Sequence, residues 1–191
     1  MEAFLTATAI VALAEIGDKT QLLAIVLATR FRRPAPIILG ILLATIANHF
    51  IAAYAGSRVA SLLDGQAFRY AIAFSFILMA AWTLIPDKLD DGGAGKPARF
   101  GPFLTTLVAF FVVEIGDKTQ IATIALGARF HDVVAVTGGT TLGMMLANVP
   151  AVFLGQALVR RVPLRVVRSL AALLFLGIGL WVLVETAGWL G

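Results

Sequence analysis

Glu15-Ile16-Gly17-Asp18-Lys19-Thr20-Gln21 recurs, residue for residue, as Glu114-Ile115-Gly116-Asp117-Lys118-Thr119-Gln120. Both copies lie in the middle of apolar stretches long enough to cross a bilayer. Each therefore puts two carboxylates and an ammonium where charge is hardest to keep. An ionisable side chain inside a membrane span marks a functional site by default, because lipid solvates it so poorly. Building the same costly cluster twice, at equivalent depth, points to an ion pathway.

The surrounding sequence is that of an all-α integral membrane protein. Of 191 residues, 60% are hydrophobic and only 14% charged, against about a quarter charged in a soluble domain. The mean hydropathy is +0.94. Apolar runs bounded by charge and proline predict six spans, at 3–29, 36–56, 68–86, 102–128, 133–157 and 167–189. At a rise of 1.5 Å per residue, each reaches about 30 Å or more, enough for the hydrocarbon core. The long first and fourth spans can tilt, or break at Gly17 and Gly116. Little polar sequence is left over for a separate soluble domain.

Residues 87–101, rich in glycine and charge, read as a flexible cytosolic linker between two homologous halves, 1–86 and 102–191. Phe4-Leu5-Thr6 matches Phe103-Leu104-Thr105, and Arg30-Phe31 matches Arg129-Phe130. Asn48 matches Asn148 after a one-residue insertion, and Trp82 matches Trp181. With three spans per half, the second half must enter from the opposite side. The expectation is two inverted three-helix repeats, with the substrate site near the midplane at their interface.

With the N-terminus outside, the inner loops hold Arg30, Arg32, Arg33, Lys88, Lys96, Arg99, Arg160, Arg161, Arg165 and Arg168, and the outer loops only Arg58, Arg69 and Arg129. That bias predicts a plasma (inner) membrane protein with both termini non-cytosolic. It also accounts for the net charge of +4 without nucleic acid. No Lys or Arg precedes Lys19, so Ala12-Leu13-Ala14 lacks the basic flank of a signal peptide and the first segment is expected to be retained. The absence of cysteine excludes disulfides and thiolate metal sites.

On a continuous helix, Asp18 and Lys19 flank Glu15 on one face, with Thr20 pointing elsewhere. Glu114, Asp117 and Lys118 repeat the pattern. A pseudo-two-fold axis then gathers four carboxylates and two ammonium groups, which sum to −2 when all are ionised. A divalent cation balances that charge, and so do two protons, because like-charged carboxylates in a low-dielectric site cannot all stay ionised alone. Competition of cation and protons for one site is the physical requirement for antiport. The donors are hard: carboxylates, the amides of Gln21, Gln120, Asn48 and Asn148, and carbonyls freed near Gly17 and Gly116. Such a set suits Ca²⁺, Mn²⁺ or Mg²⁺ as transported substrate rather than Zn²⁺ or Cu⁺, and no cofactor is implied.

The duplicated Glu-x-Gly-Asp-Lys-Thr resembles the motif of the GDT-type cation/proton exchangers. Both copies match without departure, at Glu15, Gly17, Asp18, Lys19, Thr20 and at Glu114, Gly116, Asp117, Lys118, Thr119. That family includes bacterial manganese exporters and Golgi manganese/calcium transporters. The resemblance implies export of Mn²⁺, and of Ca²⁺ as the other candidate, from the cytosol against protons.

Simpler roles stand beside these. The carboxylates and lysines could form a structural ion-pair network, and the lysines could orient the carboxylates or fill the empty site. Asn48 and Asn148 could be interhelical hydrogen-bonding groups. His49, matched by Val149, reads as packing, as do Met144 and Met145. Gly139-x-x-x-Gly143 is a close-packing pattern. Two rival functions remain open, an exporter of an organic cation such as a basic amino acid and a membrane-embedded acid/base enzyme, although the latter lacks a nucleophile or a His/Cys metal triad. No P-loop is present to couple ATP. Lipid, divalent cation and protons are the expected partners, and homo-oligomerisation is left open.

Overall fold

The structure is a computed structural model that describes residues 1–63, 65–85, 100–155 and 163–189. These residues form helices alone: α1 (Glu2–Glu15), α2 (Lys19–Phe31), α3 (Pro34–Leu62), α4 (Gln66–Thr83), α5 (Pro102–Glu114), α6 (Lys118–Phe130), α7 (Val133–Leu154) and α8 (Leu164–Thr186). The linker predicted at 87–101 lies almost wholly outside the described residues, as do Arg160 and Arg161. Three helices, α3, α7 and α8, are long and apolar enough to cross a membrane by length and composition, and α5 is a shorter apolar helix.

The first and fourth predicted spans are not continuous helices. Each breaks at its motif, into α1 and α2 and into α5 and α6. Ile16 is extended (ψ 115°), Gly17 adopts φ +81°, and Asp18 is extended again (ψ 168°). Ile115, Gly116 and Asp117 repeat the sequence with ψ 119°, φ +77° and ψ 159°. A left-handed φ costs an L-residue roughly 1–2 kcal/mol, which explains a glycine at the centre of both breaks.

Breaking a helix in an apolar environment strands backbone groups, and each break is closed internally. Gly17 N donates to the side-chain oxygen of Gln21 at 2.9 Å, and Gly116 N to that of Gln120 at 2.7 Å. Asp18 N and Asp117 N donate to the Glu15 and Glu114 carbonyls at 3.0 and 3.1 Å. The motif thus carries its own cap, with glutamine four residues after glycine.

Among the described residues, α1–α4 and α5–α8 interlock. α1 lies along α7, α5 lies along α3, and α3 crosses α6. Small residues set these approaches. A Cβ on Gly139 or Gly143 would sit 2.4 or 2.7 Å from the Phe4 or Thr8 carbonyl, so the G-x-x-x-G pattern is a helix contact surface. At the α3/α6 crossing, a Cβ on Gly56 would lie 2.0 Å from the Ile124 carbonyl, and one on Gly127 would lie 2.3 Å from that of Ala53. α4 and α8 pair through Phe76 and Phe175, with ring centroids 6.4 Å apart, and these buried rings join the core that holds Ile10 and Leu126. The outer surface shows large apolar side chains such as Leu78, Leu173 and Trp181, as a lipid-facing exterior requires.

Candidate functional site

The breaks bring the two motifs face to face. The lysine of each copy pairs with the aspartate of the other: Lys19 Nζ lies 2.9 Å from Asp117 Oδ1, and Lys118 Nζ lies 2.6 Å from Asp18 Oδ1. Carboxylate oxygens of Glu15, Asp18 and Asp117 all lie within 4.8 Å of one another, and all three residues are buried. Glu114 stands beside this trio, with Oε1 accepting from Thr45 Oγ1 at 3.0 Å and Oε2 from Asn48 Nδ2 at 3.2 Å.

The hydroxyl of Thr20 donates to Glu15 Oε2. This corrects the expectation that Thr20 points away from Glu15. That expectation assumed 100° per residue through a continuous helix, and the break at Gly17 cancels it. Thr119 bonds a different group, donating to Asp117 Oδ2 at 3.2 Å. Thr119 also stands beside Glu15, so the two threonines meet at one carboxylate and Thr119 does not take Glu114 as strict repetition would have it.

The amides divide in the same way. Gln21 and Gln120 use their oxygens to cap the breaks, while their nitrogens reach the Ala147 carbonyl at 2.9 Å and Asn48 Oδ1 at 3.4 Å. Asn48 also donates to the Phe111 carbonyl at 2.9 Å. Asn148 donates instead to the Met144 carbonyl at 3.1 Å and to Met144 Sδ at 2.9 Å. Glu15 Oε1 and Asn148 Oδ1 are buried with no hydrogen-bond partner among the described residues. In a low-dielectric site such oxygens are costly; a cation or a water would satisfy either, and a proton would satisfy Glu15.

The two halves of the site differ in access. Leu164 covers Gly17, where a Cβ would meet its side chain at 2.6 Å, whereas nothing lies within 4 Å of such an atom on Gly116. Lys118 is 5% exposed and Lys19 26%. His49, read as packing, is fully buried in α3, and its nitrogens find no hydrogen bond among the described residues. Thr45 is the contact that sequence reading missed. Its counterpart is Met145, so no repetition marked it.

Duplicated broken helices that gather buried carboxylates at a cross-paired cluster define a class, the ion-coupled membrane transporters. The family model described as divalent cation/proton antiporter GDT1 matches residues 3–91 and 102–189, and the chain belongs to this family. It is 53% identical over 167 residues to the "Putative manganese exporter" of Vibrio cholerae serotype O1, covering 87% of this chain and 82% of that one. It is 29% identical over 205 residues to "GDT1-like protein 4" of Oryza sativa subsp. indica, covering 94% and 72%. It is 27% identical over 217 residues to "GDT1-like protein 5" of Arabidopsis thaliana, covering 94% of each. No solved structure matches the chain significantly. A family of transporters sets aside the acid/base enzyme.

Proposed function

We propose that this protein exports a divalent cation, Mn²⁺ first and Ca²⁺ second, from the cytosol in exchange for protons. Glu15, Asp18, Glu114 and Asp117 hold the cation or the protons at the midplane. Gly17, Gly116, Gln21 and Gln120 shape the breaks; Thr20, Thr119 and Asn48 hold carboxylates; Asn148 offers a further oxygen. Six transmembrane segments, with α1–α2 and α5–α6 each counted as one, form two inverted repeats at 1–86 and 102–191 in the plasma membrane. Both termini face away from the cytosol.

The observation that carries this reading is the cross-pairing of the motifs, which merges carboxylates from both halves into one buried cluster short of positive charge. A divalent ion inserted there meets hard oxygen donors, and protons meet the same oxygens. The family match and the manganese exporter relative support Mn²⁺ as substrate. Lys19 and Lys118 act as tethered counter-ions that a cation must displace or a proton must accompany.

The deciding experiment measures flux of Mn²⁺, Ca²⁺ and lysine in proteoliposomes bearing the wild type, Glu15→Gln or Glu114→Gln. Flux of Mn²⁺ lost in both variants is the expected result. Lysine transport without Mn²⁺ transport would move the assignment to an organic-cation exporter.

A further inference from the structure

At one end of the bundle, the ends of α3, α6 and α8 and the first turns of α4 enclose a cavity of about 210 Å³. Its polar lining is Arg69 of α4, Arg129 at the end of α6, His131 in the turn that follows, and Glu185 near the end of α8. Beside this cavity an apolar groove of about 190 Å³ runs between α3, α4 and α6. Phe68, Ile72 and Ala128 line both spaces, so the two are adjacent. Along α6 the groove extends from Ala128 back to Ile121, seven residues or about 10 Å towards the motif at the helix start.

The charge of the cavity is wrong for the transported ion. Two guanidinium groups and an imidazole face one carboxylate, and that carboxylate is held by Arg129 Nη2 at 2.6 Å. Arg69 makes no ion pair among the described residues and is exposed. A divalent cation would be repelled there. A phosphate would be favoured, since a guanidinium presents several donors and Arg129 keeps some after meeting Glu185. A polar chamber of positive excess beside an apolar groove suits one ligand class, an amphiphile with an anionic head.

We propose that this composite space is a binding site for an anionic glycerophospholipid. Its phosphate sits among Arg69, Arg129 and His131, and one acyl chain lies in the groove over Gly56 and Ile124. Gly56 and Ile124 meet at the α3/α6 crossing, so a lipid seated there braces the helix whose first turn carries Lys118 and Gln120. The inference is independent of which ion is carried.

Native mass spectrometry of the detergent-solubilised protein tests it, with phosphatidylglycerol, phosphatidylethanolamine and inorganic phosphate as probes. Phosphatidylglycerol is expected to stay bound at clearly higher occupancy than phosphatidylethanolamine. Arg69→Gln should weaken its retention about fivefold, the worth of one arginine near an anionic lipid. Ala71→Trp, at an exposed groove position, should exclude both lipids. An unchanged thermal midpoint checks that each variant is folded, and Arg69→Gln alone decides the matter if Ala71→Trp is not. Equal retention of the two lipids, or equal phosphatidylglycerol retention in wild type and Arg69→Gln, overturns the proposal. Displacement of the lipid by inorganic phosphate, with no effect of Ala71→Trp, overturns it in favour of a free-anion site.

Discussion

Lys19 and Lys118 occupy the same place in the motif but not the same environment. Lys118 is nearly sealed against Asp18, while Lys19 reaches Asp117 from a partly open position. Removing either lysine strands a buried aspartate, at a cost of about 3–5 kcal/mol where water cannot enter, and water enters more readily in place of the partly exposed Lys19 than in place of Lys118. Lys118→Ala should therefore lower the thermal midpoint of the purified protein more than Lys19→Ala does. Added Mn²⁺ should recover part of the loss, because a cation can replace the missing ammonium beside Asp18. Equal midpoints for the two variants would show that the halves are equivalent in solution. The charged residues of the site were legible in the sequence, since intramembrane charge is rare and here repeated. Thr45 was not, because a threonine in an apolar helix more often bonds its own backbone, as Thr83 and Thr123 do.

The broken helices are the elements that the chain hides best. Residues 3–29 form one apolar run, and a single glycine within it is compatible with tilt, bend or rupture. What decides for rupture is a combination: a left-handed glycine, extended neighbours, and a glutamine placed to take up the freed N–H. A face set by about 100° per residue does not continue across such a point, so Thr20 turns towards Glu15 while Glu15 and Asp18 stay close. The break also makes the two glycines unequal in a testable way. Alanine at either position meets the left-handed strain of about 1–2 kcal/mol. At position 17 the new methyl also runs into Leu164, and at position 116 it meets open space. Gly17→Ala should thus destabilise more than Gly116→Ala, read as loss of monodisperse protein on heating. Replacing Gln21 with Leu should cost about 1–3 kcal/mol by stranding the Gly17 N–H, measured by the same assay.

For the whole molecule, the question is how the two ends of the site are reached in turn. Glu2 at the start of α1, Arg129 at the end of α6 and Trp181 towards the end of α8 line one cavity. The N-terminal end of α1 and the C-terminal end of α8 therefore lie at the same end of the bundle, as an even number of crossings requires. Cysteine labelling in cells should place residues 30–35 in the cytosol and both termini outside; labelling of the termini on opposite sides would exclude the inverted repeat. In the proposed function, coupling follows from competition at Glu15, Asp18, Glu114 and Asp117. Cation loading must release protons to the side from which it loads, and apparent affinity must weaken as pH falls, because protonated carboxylates are poor ligands. In proteoliposomes loaded with Mn²⁺, outward cation flow should acidify the lumen, and an imposed pH gradient should drive Mn²⁺ onto the acidic side. Under the proposed exchange, an inward proton gradient in the cell would export the cation without ATP. Mn²⁺ flux at full rate with no proton movement and no pH dependence would make the protein a uniporter, and the exchange of charge between lysine, proton and metal would have to be abandoned.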